Sequence, residues 1–511
     1  MKLIRLCVSA VFTAVIATAL LLDNSVSIGG VVFGNKISRD ISEVHTPIRH
    51  SLAESWPHQN TWFCPGGSAP GGIADVSIEI INASAEASQA LVTGIRQGLG
   101  VIPTEALVRV EAGERSLVRL ADLVPESSYM GAVVEVDSAD MIVEQTYLGA
   151  SGTTDRALCQ TRTSDLWLVP SGATRLAEKG EEMVLLVLNP FPHDAVLNIR
   201  FASDVGVDTR NGVVVPARRV LALDVASEVP VAEQISATVN VVFGRVVVSR
   251  VQSRGLPLES DEQFPAALSV TPAVSTLSPL WYLLDLNNSE RIDVVTVLNP
   301  SSDEVAGVDL ELIVDGDSGV VQRVPVELTI APGEARQVCL NAMQRLEGIG
   351  SYIIAARSIT GLGVAVLHES TDAVSAADPE ETPSTCDPEL GFGSENISLA
   401  ATSGLDVGTT RWLAPLRSPD HGISIFNPAA EALDAQVSVI DEQGKRLVVA
   451  VNIAPQERAR FSAAELGSDA PIVEVVATAP VLVSRDLSGV SQHQLLPAVV
   501  ASAALSVGVE P

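Results

Sequence analysis

Four of the five tryptophans in this 511-residue chain, Trp62, Trp167, Trp281 and Trp412, recur at intervals of 105, 114 and 131 residues. A long internal period constrains the fold strongly, because every copy must bury its apolar residues in the same way. Three of the copies open alike, as Trp62-Phe63-Cys64-Pro65, Trp167-Leu168-Val169-Pro170 and Trp412-Leu413-Ala414-Pro415. At 20, 22, 18 and 15 residues beyond each Trp, a short apolar run ends in Asn82, Asn189, Asn299 and Asn427. Pro190, Pro300 and Pro428 follow the last three of these. A second landmark, centred on Ala112, Pro216, Pro332 and Pro455, lies 27 to 33 residues further along. Beyond it, each copy has two apolar runs that resemble the arms of a hairpin, as in residues 131–147 and 471–487. Three landmarks in one order, four times over, define four units.

The runs inside a unit are short and rich in Val, Ile and Leu, and several alternate, as at 437–440 and the end of 447–453. Alternation at period two places one face in a core and one in water. An Asn-Pro after such a run stops pairing, since Asn tolerates turn geometry and Pro cannot donate to a ladder. Helical periodicity is nearly absent, apart from a short turn near 462–466. Six or seven strands in a unit of about 100 residues predict an all-β chain of tandem immunoglobulin-like β-sandwich units. A β-propeller with two blades per repeat is the alternative. The chain is 47% hydrophobic but 4% aromatic, so each core is aliphatic around one large anchor, the repeated Trp. Each Trp either lies on the first strand of its own unit or closes the preceding one. The run at 495–499, which resembles the Trp phrases without the Trp, favours the closing role.

Ahead of the first unit, residues 6–22 form an apolar run behind Lys2 and Arg5 and ahead of Asp23. Basic residues before an apolar run hold the N-terminus inside and send the rest across. The run just reaches the length of a membrane span, and Ser25-Val26-Ser27 makes an indifferent cleavage site, so a retained anchor is preferred to a cleaved signal. The expected organisation is a signal anchor at 1–23, a juxtamembrane stalk at 24–61 and β units at 62–160, 161–270 and 271–371. An acidic, Pro-containing linker at 372–410 precedes the last unit at 411–511; it holds Asp372, Asp378, Glu380, Glu381, Asp387, Glu389, Glu395 and Asp406 without one basic residue. Past the anchor remain Cys64, Cys159, Cys339 and Cys386, an even number that in an exported chain points to two disulfides with three possible connectivities. Chain order and the repeats favour Cys64 with Cys159 and Cys339 with Cys386.

Chemical motifs are sparse. The chain lacks a nucleophile elbow, a zincin helix, a phosphate loop and a dinucleotide glycine pattern, and no C-x-x-C occurs. Residues 285–290 place oxygen donors at alternate positions but lack the glycine and distal Glu of a calcium loop, and Asp315 to Gly319 reads as a turn. His45, His50 and His58 fall in the stalk; His368-Glu369 and Asp420-His421 fall at repeat landmarks or strand starts, and the counterparts of His368-Glu369, such as Ser249-Arg250 and Ser484-Arg485, do not keep the chemistry. No catalytic residue, cofactor or metal is expected. With 32 Lys and Arg against 62 Asp and Glu, the net charge of −30 disfavours nucleic acid as a partner.

The N-terminal apolar segment, Trp62-Phe63-Cys64-Pro65 and the strand-Asn repeats with Pro- and Ala-rich turns together resemble an uncharacterised actinobacterial envelope family, catalogued as domain of unknown function 5719. The resemblance implies a membrane-tethered, extracytoplasmic protein with no assigned reaction. The expected function is that of a non-enzymatic spacer or interaction scaffold, a row of units held to the cell membrane by the N-terminal helix. Its expected partners are envelope proteins or cell-wall glycans, and a glycan-binding accessory module of wall synthesis is the alternative.

Overall fold

The computed structural model describes residues 60–500, apart from 99–103, 150–151, 176–179, 256–264, 288–290, 315–321, 341–350, 373–398, 407, 442–443, 469–470, 488–494 and 498. The predicted anchor and nearly all of the stalk lie outside the described residues. Among the described residues, no helix is long and apolar enough to cross a membrane.

The chain is almost entirely β, and one strand pattern recurs four times. The first group comprises β1 (Asn60–Ser68), β2 (Asp75–Asn82), β3 (Ser88–Arg96), β4 (Glu105–Val110), β5 (Arg115–Arg119), β6 (Tyr129–Val136), β7 (Met141–Leu148) and β8 (Thr154–Leu158). A single helical turn, α1 (Leu120–Leu123), follows β5. The second holds β9 (Leu166–Val169), β10 (Glu182–Asn189), β11 (Ala195–Ser203), β12 (Gly206–Val215), β13 (Arg219–Asp224), β14 (Ile235–Phe243), β15 (Val247–Gly255) and β16 (Pro265–Pro272). The third holds β17 (Leu280–Asn287), β18 (Arg291–Leu298), β19 (Ala306–Val314), β20 (Gln322–Ile330), β21 (Ala335–Cys339), β22 (Ser351–Ser358), β23 (Ala365–Asp372) and β24 (Ala400–Ser403). The fourth holds β25 (Thr409–Pro415), β26 (Gly422–Phe426), β27 (Leu433–Asp441), β28 (Gly444–Ile453), β29 (Arg458–Ser462), β30 (Ile472–Asp486), β31 (Leu495–Pro497) and β32 (Val499–Val500).

Each group builds two small sheets. In the second, these are β12-β11-β14-β9 and β13-β10-β15-β16; in the third, β20-β19-β22-β17 and β21-β18-β23-β24. The first group has the same two orders, joined by a single pairing of Ser68 with Asp75. One apolar cluster lies between each pair of sheets, drawing Trp62, Trp167, Trp281 and Trp412 into four separate cores. Each Trp therefore sits on the first strand of its own group rather than closing the preceding one. Packing decides this, because the strand carrying each Trp pairs with the sixth strand of that same group.

The two apolar runs read as a hairpin are not paired with each other. The sixth strand joins one sheet and the seventh the other, so the turn between them crosses the core. In the fourth group both are a single strand: β30 pairs with β25 and β27 through its first half and with β26 through its second. The sheets thus interleave strands, whereas a propeller blade is a meander of consecutive ones. Residues 400–403, assigned above to the acidic linker, form β24 and pair with β23, extending the third group's second sheet. Ala400, Ala401, Thr402 and Ser403, small and uncharged, provide a strand there despite the acidic surroundings.

The repeated Asn has a structural reason beyond ending a strand. Each of Asn82, Asn189, Asn299 and Asn427 is fully buried. In each, Nδ2 donates to three carbonyl oxygens: for Asn299, those of Glu304 (2.8 Å), Ile330 (3.1 Å) and Ala331 (3.2 Å). Oδ1 accepts a backbone N–H two residues on, that of Ser301 at 3.1 Å. The same bonds recur at Asn82, Asn189 and Asn427. One amide thereby clamps the turn after the second strand to the turn after the fourth. In that latter turn a left-handed residue recurs as Gly113, Arg218, Gly333 and Gln456, with φ of 72°, 53°, 66° and 59°.

The four groups close on one another rather than forming a row. Phe63, Ile95 and Val133 of β1, β3 and β6 join the core of the second group. Leu168 of β9 joins that of the third. Tyr282 and Ile353 of the third pack with Phe426 and Leu482 of the fourth. Leu413, Ile440 and Ile472 of the fourth pack with Ile81 and Ile142 of the first. The outer apolar face of the first-listed sheet of each group needs a cover, and the next group supplies it, from the fourth back to the first.

Candidate functional site

Charge is buried where the groups meet. On the first group's outer face, Glu79 of β2 and Glu144 of β7 stand directly opposite in the ladder. Two carboxylates so placed repel, and guanidinium groups converge to hold them. Arg417, just past β25, donates through Nη2 to Glu144 Oε2 at 2.9 Å and also contacts Glu79. Arg156 of β8 reaches Glu79 Oε2 at 3.1 Å. Arg485 of β30, with Glu144 one of the two fully buried members, donates to Glu144 Oε1 at 2.5 Å and to the Pro415 carbonyl at 3.2 Å. Arg115 of β5 donates to the Leu416 carbonyl.

The field of this cluster is legible in its titrating groups. Burial alone would raise the Glu144 carboxyl, but Arg485, Arg417 and Arg156 outweigh it and hold it at about 2. Arg115 is lowered to about 10, first by burial and then by Arg417, with Glu79 and Glu144 opposing and Arg156 adding to the fall. His421 accepts the Arg417 backbone N–H at Nδ1, 3.2 Å, so its own proton sits on Nε2. Burial, then Arg156 and Arg417, lower it to about 4 against the opposing Asp420, with Arg115 adding to the fall.

Other seams are built differently. Between the second and third groups, Arg250 of β15 donates to the Ser171 carbonyl at 2.7 Å and to Glu369 Oε1 at 2.8 Å, while Ser171 Oγ donates to the other carboxylate oxygen at 2.5 Å. Between the third and fourth, Asp285 of β17 accepts from Arg460 at 3.1 Å and from Ser424 and Ser484. The first–second seam is mainly apolar, with Asp155 of β8 accepting the Val270 N–H at 2.5 Å and raised by burial to about 7.

Arg250 and Arg485 occupy equivalent places, four residues before the clamp Asn in ladder register, and each reaches a Glu on the seventh strand of the next group. Their counterparts are Gln145, which accepts the Gly66 N–H at 2.7 Å, and His368, which faces Asp293 at 2.9 Å. Both of those stay within their own group. The fourfold repeat therefore carries a twofold alternation in how its seams are pinned.

The anchors Trp62, Trp167, Trp281 and Trp412 do not converge: each is buried in its own core. The indole N–H groups of Trp167, Trp281 and Trp412 donate to the carbonyls of Val246, Val364 and Val481. Cys64 and Cys159 form a disulfide, tying β1 to the end of β8. Cys339 at the end of β21 is also disulfide-bonded, and Cys386 lies outside the described residues. Asp285, from the calcium-like stretch, spends its carboxylate on the fourth group's arginines. Glu369, set aside in the sequence for want of repetition, and His421, read there as a landmark or strand-start residue, are members of seams. The signal for the missed seam was charge at one place within an apolar strand, as in Glu79, Glu144, Arg250 and Arg485.

No family model matches the chain, and no curated protein is similar to it. Among solved structures, Thermotoga maritima protein 1070 is matched at 14% identity and a TM-score of 0.19, over 25% of this chain and 95% of that one. A tetra-tandem repeat from the extending region of a large adhesion protein is matched at 13% identity and a TM-score of 0.10, over 84% of this chain and 100% of that one. At those scores neither likeness carries an argument about this chain.

Proposed function

We propose that this is a non-enzymatic extracytoplasmic envelope protein, anchored by residues 1–23, whose immunoglobulin-like units form an interaction scaffold for other envelope proteins. The observation that carries the reading is the edge strand β12. Its residues from Gly206 to Gly212 are all exposed, and it pairs only with β11. Val205, Val207, Val214, Val242 and Phe243 add exposed apolar surface around it. Unpaired edges are normally blunted by Lys or Pro. Of the equivalent strands, β20 carries Pro325 and β28 carries Lys445, whereas β12, like β4, has neither and bears only Asp208 and Arg210 as charged residues. Closure of the groups on one another favours a scaffold over a spacer, since a cycle gains no reach. The Cys64–Cys159 bond supports an oxidising compartment. Because all four repeat tryptophans are buried, they offer no stacking platform to a glycan.

Placing a photo-crosslinking residue at Thr209 of the full chain in its native envelope tests the reading. Adducts with a discrete envelope protein, absent when the probe is at Lys445, are expected. Equal labelling at both positions would contradict it.

A further inference from the structure

β11 and β12 are joined by a two-residue turn in which Ser203 pairs with Gly206, and the closing pair of such a turn is hydrogen-bonded. Bonded and non-bonded pairs then alternate along the ladder. The backbones of Asp208 and Arg210 bond to those of Phe201 and Ile199, while Val207 and Thr209 turn their N–H and C=O groups outward. From Gly206 to Gly212 every residue is exposed, so the stretch runs past the core and neither of its faces is taken. Its sequence, Gly206-Val207-Asp208-Thr209-Arg210-Asn211-Gly212, is complementary to itself in the reverse direction. A second copy laid antiparallel and centred on Thr209 sets each Asp208 opposite an Arg210, with glycine at both ends. Both charged residues are placed to accept this. The Asp208 carboxylate has no ion pair or hydrogen bond among the described residues. Arg210 is held out from the strand by Glu228 through Nη1 and keeps 45% of its side chain exposed.

We propose that β12 pairs with β12 of a second copy of this chain about a twofold axis through Thr209, joining two β12-β11-β14-β9 sheets into one of eight strands. The proposal rests on the reading of β12 as the interaction edge and names what occupies it. Such a contact is isologous, so one edge serves both copies and the pairing closes at two. The outward N–H and C=O groups of the two Thr209 residues bond each other, which makes Asp208 and Arg210 a non-bonded pair, the kind whose side chains come closest. Opposite charges facing across a ladder stabilise it and like charges oppose it, so the charges fix this register. In a chain of net charge −30, two copies repel at large and need such local pairs to meet. Seven residues a side is about a third of a standard interface, so the pairing is weak and reversible. An envelope protein that offers its own strand displaces the second copy, and self-pairing covers the edge until then.

The test uses the full chain in its native envelope, with Thr209→Cys as the probe. On the axis the two sulfurs meet, because a hydrogen-bonded antiparallel pair sets its Cα atoms about 5.5 Å apart, within disulfide reach. Two copies of Val207→Cys stand four residues apart on the ladder, roughly 13 Å, and are out of reach. Under a mild copper oxidant, Thr209→Cys is expected to give a disulfide-linked dimer on a non-reducing gel, about tenfold or more above Val207→Cys and the unaltered chain. Adding Asp208→Arg or Arg210→Asp to the probe sets like charges opposite and should remove most of the dimer. Mixing those two variants should restore it, since each then meets its opposite, which also shows that both fold. Equal linkage from Thr209→Cys and Val207→Cys, or none from Thr209→Cys, would overturn the proposal. So would a mixture that links no better than either variant alone. Absent linkage leaves the scaffold reading standing on its heterologous adducts, and absent adducts leave this dimer standing, because a self-adduct at Thr209 has twice the mass of the chain.

Discussion

A buried amide that makes three donor bonds and one acceptor bond cannot be replaced cheaply, and this chain uses one in every group. Truncating Asn299 to Ala leaves the carbonyls of Glu304, Ile330 and Ala331 without their shared donor. We expect a loss on the order of 2–4 kcal/mol for Asn299→Ala, read as a lowered denaturation midpoint, with Asn299→Asp no better because its carboxylate cannot donate. A change below about 0.5 kcal/mol would show the clamp to be dispensable. The Asn was conspicuous in the sequence because it recurred; its role was not, because its three partners lie about 4 and 30 residues away. Turn chemistry explained Asn locally and hid a long-range reason. The left-handed residue in the same turn was equally hidden, since Arg218 and Gln456 stand where the other copies have Gly113 and Gly333.

Strands were legible where alternation marks them and their pairing was not. Short apolar runs around the Asn and Pro landmarks identified all-β units, because period two follows from the pleat. Sheet membership depends on which way the chain turns after a strand, and two neighbouring apolar runs look alike whether they pair or cross the core. The sixth and seventh strands cross, and in the fourth group Pro480 lies inside the one strand that serves both sheets. The pairing of Cys64 with Cys159 was accessible from chain order and the repeats, since both fall within the first unit. That bond closes a loop spanning a sequence separation of 95. Cys64→Ser with Cys159→Ser should cost about 4–5 kcal/mol in the chain-entropy view, largely through the unfolded state. Thermal unfolding monitored by tryptophan fluorescence would show it. An unchanged midpoint would mean that the first group is held by packing alone.

The arrangement of the whole molecule was the least legible level, and its cause lies in outward-facing side chains. Ile81, Ile142, Leu413 and Ile440 read from sequence as ordinary core residues, yet they form the contact that joins the last group to the first. The ionic members of that contact, Glu144 and Arg485, are 341 residues apart in the chain. No local pattern links them. Closure turns an apparent row of units into a cycle and gathers the guanidinium groups of the first–fourth seam. The most direct test is a pulsed electron-resonance distance between nitroxide labels at Glu111 and Asp441 of the full chain. Glu111 lies two residues from Gly113, which comes so close to the Asp441 backbone that a Cβ added there would clash with it. The cycle predicts one short, narrow distance of roughly 20–30 Å including the label arms, since the two turns touch and each group of this size is itself only about 30 Å across. A broad distribution centred beyond about 50 Å, as two intervening groups in a row would impose, would contradict it.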